Sequence, residues 1–91
     1  MKTVWIPGEA YCHALECIDP EKSDLMGEAI QTRNYKRGRS SHLVKATTEL
    51  AKWFRGEAEF WSGHGVDPDS KWRVRPCRVA AKRIEKALEE R

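Results

Sequence analysis

The amino-acid sequence predicts a mainly α protein, a compact bundle of about four short amphipathic helices with one or two short strands at its edge. Three observations carry that expectation. Apolar residues recur every three or four positions through most of the chain. Prolines stand where helices would begin (Pro7, Pro20, Pro76) and glycines where they would end (Gly38, Gly63). Ninety-one residues hold one small core, so 1–91 is expected to form a single domain whose helices bury their apolar faces on one another. If the ambiguous segments 11–18 and 71–75 are extended, the class becomes α+β.

Residues 2–6 alternate, with Val4 and Ile6 on one face and Thr3 and Trp5 on the other, which reads as a short strand. Pro7 then opens a helix over about 7–18, with Ala10, Tyr11, Ala14, Leu15 and Ile18 at helical spacing. Asp19-Pro20 resembles an N-cap and first-turn proline. Leu25, Met26, Ala29 and Ile30 form the stripe of a second helix, which fades before Gly38. Ser40 or Ser41 is expected to cap the third helix, about 42–61. One face of it carries Leu43, Thr47, Leu50, Phe54, Ala58 and Trp61, widened by Ala46, Trp53 and Phe60. After the turn at Gly63-His64-Gly65 and the loop at 66–70, residues 71–75 read as a second short strand. Pro76 opens the last helix, to about residue 90, with Cys77, Ala80, Ala81, Ile84, Ala87 and Leu88 inward.

Composition narrows the function. With 40% hydrophobic and 34% charged residues, the chain is neither disordered nor fibrous. It has no run of eighteen apolar residues and no secretory leader, so no membrane partner and a cytoplasmic location are expected. Three cysteines without framework spacing fit reduced thiols. The net charge of +3 is modest, but the charge is segregated: residues 1–31 are net −4, 32–55 net +6, 56–70 net −4 and 71–83 net +6. Blocks of this kind make single-sign patches when the fold gathers them.

Catalytic chemistry is not indicated. The sequence has no nucleophile elbow, phosphate loop or paired HExxH, and His64 between glycines reads as a solvated loop imidazole. His13 and Cys17, four apart on one helix face, supply only two of the four ligands of a structural zinc; His42, His64 and Cys77 have no supporting spacing. No cofactor, metal or catalytic residue is therefore expected.

The basic segments carry more. Arg33, Lys36, Arg37 and Arg39 cluster around Asn34, Tyr35 and Gly38. Arg73, Arg75, Arg78, Lys82 and Arg83 follow Trp72. Guanidinium forks bind phosphates bidentately, and Tyr or Trp can stack on bases. In the last helix the cations crowd the positive N-terminal end while Glu85, Glu89 and Glu90 lie toward the other, an order the helix dipole disfavours. Local stability does not favour that order, so Arg73, Arg75 and Arg78 are expected to meet a phosphate or an acidic surface. The aromatic third helix supplies a second candidate surface, with Trp53 and Trp61 as protein-interface anchors.

Thr3-Val4-Trp5-Ile6-Pro7 with the helix to Ile18, followed by Lys22-Ser23-Asp24-Leu25-Met26-Gly27-Glu28-Ala29-Ile30, resembles the ribbon-helix-helix family of dimeric DNA-binding regulators and antitoxins, over about a third of the chain. Departures are plain. The strand residues facing DNA would be Thr3 and Trp5, where the family usually has polar or basic side chains. The link between helices is about one turn short, and this half is net −4. Gly38-Arg39-Ser40-Ser41-His42-Leu43-Val44 is similar to the family's inter-helix turn but lacks a preceding strand.

The expected function is a small non-enzymatic binding protein that contacts nucleic acid or a nucleoprotein complex through its two Arg/Lys-rich segments, with a dimeric regulator as one form. The alternative is a protein-binding inhibitor or adaptor, of the kind phages and mobile elements encode to block a host complex, addressing an acidic protein surface.

Overall fold

A computed structural model describes residues 2–18, 29–63 and 68–90. Among them are three α-helices and a three-stranded antiparallel sheet. The strands are β1 (Thr3–Pro7), β2 (Gln31–Asn34) and β3 (Ser40–Lys45); the helices are α1 (Gly8–Cys17), α2 (Thr48–Ser62) and α3 (Val74–Glu89). The sheet order is β1-β3-β2, so the middle strand is the last of the three in sequence.

Register follows from the alternation in β1. Ile6 pairs with His42 and Val4 with Val44 on the face that meets the helices, while Trp5 pairs with Leu43 on the outer face. Thr32 joins the inner row opposite His42, and Arg33 the outer row opposite Ser41. The core is built on Ile6 and Val44 from the sheet, Ala10 and Ala14 from α1, Leu50, Phe54 and Ala58 from α2, and Cys77, Ala80, Ala81 and Ile84 from α3. Alanines on both α2 and α3 let the two helices approach closely, and α3 also lies against β1. Across the α2–α3 seam, Arg55 Nη2 and Nε donate to the two oxygens of Glu85 at 2.6 and 3.2 Å.

That pair has a pH signature. The hydrogen bond from Arg55 holds the Glu85 carboxyl below the usual carboxylate range. A depressed carboxyl stabilises the fold above its unfolded pKa, and the gain is lost as pH falls through the folded value. Both side chains are about two-fifths exposed, at 43% and 40%, so solvent screens the gain to a small one. The melting temperature of Glu85→Gln is therefore expected slightly below that of the native chain at pH 7, with the gap closing below about pH 4. A gap unchanged by acid would show that the pair does not stabilise the fold.

Several sequence expectations need correction. Gln31–Asn34, expected as the end of the second helix, is strand, and all four residues are exposed. An all-polar edge strand has no apolar period to reveal it. The earlier part of that helix, 19–28, lies outside the described residues. The third helix does not begin at residue 42. Ser40–Lys45 is strand, and Thr47, not Ser40 or Ser41, is the N-cap, its Oγ1 accepting from Leu50 N at 3.1 Å. Leu43 matched the helical stripe by spacing alone; Val44 is the residue that faces in, as a strand requires. Residues 71–75 are not a strand. Pro68–Arg73 forms a 3₁₀ turn that runs into α3, which starts at Val74, two residues before Pro76. Proline is tolerated there because a first-turn N–H has no intrahelical partner to lose. The segment 11–18 is helical to Cys17, as first read. β1 pairs with β3 of its own chain, so its strand pairing departs from the ribbon-helix-helix arrangement, in which the first strand pairs with its copy in a second chain; the family's second helix matches residues that lie mostly outside the described ones.

Candidate functional site

The turn between β2 and β3 is shaped by two consecutive residues with positive φ, Arg37 at 67° and Gly38 at 72°. Glycine adopts this conformation freely, whereas arginine is strained there. The Tyr35 N–H donates to the Arg39 carbonyl at 2.7 Å and closes the turn. The hairpin thereby carries Arg33, Lys36 and Arg39 toward the N-terminal half of α3, because β3 is bonded to β1 and α3 packs on β1.

The two basic segments meet at Arg39. It lines one open cleft with Trp5, Arg33, Tyr35, Lys36 and Arg83. It also lines a second with Trp72, Arg75, Pro76 and Val79. Arg75 and Val79 continue into a third recess with Lys71, Arg78 and Lys82. Cations that are far apart in sequence thus form one continuous face. Glu9 is, among the described residues, the one acidic residue lining these clefts. Among the described residues no ion pair engages Arg33, Lys36, Arg39, Arg75, Arg78 or Lys82. Arg33 instead lies over the Trp5 ring, 4.2 Å from its centroid, and Arg83 Nη1 donates to the Trp5 carbonyl at 3.2 Å. Tyr35 and Trp72 are each about half exposed at the margins, at 51% and 49%. Arg83 belongs to the second basic segment of the sequence, whereas Trp5 is a lining residue that the basic clusters do not reveal. The outward alternation of Trp5 in β1 was the available signal.

Arg73 does not belong to this face. It turns inward, with its side chain only 19% exposed. Its Nη1 lies 2.7 Å from His13 Nδ1 and 3.3 Å from Glu16 Oε2, and its guanidinium lies near the Trp61 and Trp72 rings. His13 is fully buried, and its Nε2 is 2.8 Å from Glu57 Oε1. A guanidinium has no acceptor, so Nδ1 must accept from Arg73 and Nε2–H must donate to Glu57. Trp53 and Trp61 flank the same imidazole, each with ring centroids 5.8 Å away. Trp61 also directs its indole N–H at Glu57 Oε1, 3.4 Å away. The two tryptophans expected as interface anchors are therefore half-buried walls of an internal polar cluster. The more exposed aromatic on α2 is Phe60, at 62%. Burial raises the Cys17 thiol pKa despite Arg73 nearby, and pushes the Cys77 thiol up to about 12, so both favour the protonated form at neutral pH.

No helix of the described residues is long and apolar enough to cross a membrane. The chain matches no family model, no curated protein and no solved structure.

Proposed function

We propose that this protein acts by binding, not by catalysis, and that its ligand is a nucleic acid held along the basic face. The observation that carries this reading is the position of Arg39, shared by a cleft with Arg33 and Arg83 and a cleft with Arg75 and Trp72. A face of guanidinium and ammonium groups with no ion-pair partner among the described residues suits a phosphate backbone, which presents regularly spaced anions and releases counterions on binding. Tyr35 and Trp72 offer exposed rings on which bases can stack without regard to sequence. Arg73 is excluded from the contact set, because His13 and Glu16 already engage it.

Fluorescence anisotropy with labelled single-stranded and duplex oligonucleotides tests the reading. If about six cations meet phosphates, affinity falls by about 10³ between 50 and 200 mM salt. The double variant Arg39→Gln, Arg75→Gln is expected to reduce the salt slope by about two. Binding that ignores salt, or a protein that purifies free of nucleic acid and shifts neither probe at low salt, would refute it. The alternative, a protein-binding inhibitor, draws on the exposure of Leu15 and Phe60, at 61% and 62%, and predicts that second outcome.

A further inference from the structure

Apart from the basic face, potential metal ligands from α1 and α2 converge at one point. His13 and Cys17 stand four residues apart on α1, so one helical turn sets them on the same side. Glu57 reaches them from α2. A ring nitrogen of His13, Sγ of Cys17 and a carboxylate oxygen of Glu57 all lie within 4.8 Å of one another. We propose that His13, Cys17 and Glu57 form a binding site for a divalent transition-metal cation of the zinc class.

The donor chemistry fits. Imidazole nitrogen, thiolate sulfur and carboxylate oxygen are the ligands zinc takes, and three of them leave a fourth position open to water. Tetrahedral zinc, with bonds of about 2.0–2.3 Å, spaces its ligand atoms by roughly 3.3–3.6 Å. The His13–Glu57 contact of 2.8 Å needs slight widening, and Cys17 must close by about an ångström. Cys17 is exposed and the Glu57 side chain is 22% exposed, so both have room to move around the fixed His13 ring.

Charge points the same way. Among the described residues, two carboxylates, Glu16 and Glu57, share the cluster with a single guanidinium, that of Arg73, which leaves it net negative. A divalent cation together with loss of the Cys17 proton brings it to neutrality. Arg73 already occupies the cation-seeking position, 2.7 Å from His13 Nδ1 and 3.9 Å from Cys17 Sγ, but it fits imperfectly: its buried Nε has no hydrogen-bond partner among the described residues. On binding, the metal takes the place of the proton between His13 Nε2 and Glu57, and the ring proton moves to Nδ1. Arg73 Nη1 then leaves Nδ1 and keeps Glu16, and the Cys17 thiol proton passes to solvent. One proton is released per cation.

Cobalt(II), a spectroscopic probe for zinc sites, tests the assignment on the full chain after chelator treatment. The expected result is one cobalt per chain with a thiolate-to-metal charge-transfer band that zinc abolishes by displacement. Cys17→Ser is expected to remove the band and weaken binding at least about 100-fold. Cys12→Ser, also at an exposed cysteine, leaves both unchanged. Arg73→Gln removes the competing cation and is expected to tighten binding about 10-fold, a gain that loss of folding could not imitate. A charge-transfer band that survives Cys17→Ser, absence of any such band in the native chain, or weaker binding by a folded Arg73→Gln variant would overturn the proposal. None of these readouts depends on the basic face.

Discussion

Phe54→Ala is expected to destabilise the fold by about 3–5 kcal/mol, the range for truncating a fully buried aromatic. Phe54 is the largest side chain in the fully buried set, and it stands where α2 meets the rest of the core. Its ring also makes an edge contact with Trp53, centroids 5.1 Å apart, which the alanine removes. Domains of this size hold only about 5–15 kcal/mol in total, so the variant is expected to be partly unfolded at 37 °C. Urea denaturation followed by tryptophan fluorescence measures the effect as a fall in midpoint at unchanged slope. Phe60→Ala, at a site 62% exposed on the same helix, serves as the control and is expected to change stability by about 0.5 kcal/mol or less. Equal losses at the two positions would show that Phe54 does not face the core while Phe60 faces solvent.

A second large effect is expected from one methyl group at Gly8. This residue opens α1, is buried, and packs directly on β3. A Cβ there would run into the Ser40 hydroxyl and approach the Ser40 carbonyl oxygen to 2.9 Å. The hydroxyl can rotate away, but the carbonyl belongs to the strand that organises the sheet. Overpacking of this kind costs about 1–3 kcal/mol. Gly8→Ala is therefore expected to lower the urea midpoint clearly, and Ser40→Ala in the same chain to recover only part of the loss, since it removes the hydroxyl but not the carbonyl. Full recovery would locate the whole clash at the side chain. An unperturbed Gly8→Ala would show that α1 and β3 sit farther apart than described.

The parts of the fold visible in the sequence were those with a strong apolar period. Val4 and Ile6 announced β1; Leu50, Phe54 and Ala58 announced α2; Cys77, Ala80, Ala81 and Ile84 announced α3. The hairpin was hidden for two reasons. Gln31-Thr32-Arg33-Asn34 buries nothing, so no pattern marks it. Ser40–Lys45 buries Val44, but Leu43 happened to fall in phase with the helix that follows. Tertiary pairing with β1 overrides that local resemblance. The basic clusters were legible as clusters, whereas their union at Arg39 depends on the β1-β3-β2 order, which no local signal encodes. Arg73 illustrates the same limit in reverse. By sequence it is equivalent to Arg75 and Arg78, and only the approach of α1 and α2 separates it, by bringing His13, Glu16 and the Trp61 ring to its side.

The strand order also governs when the molecule can assemble. β1 finds its sheet partner only once Ser41–Lys45 has been made, and α3 then closes over β1, with Arg83 bonding the Trp5 carbonyl across 78 positions of sequence. Ile6 and Val44 have no complete shelter until α3 arrives with Ile84, Ala80 and Ala81. Contacts of such high sequence separation slow folding. β1 therefore stays without full cover until α3 is in place, and the basic face, whose clefts draw on both the β2–β3 hairpin and α3, is completed by that same contact.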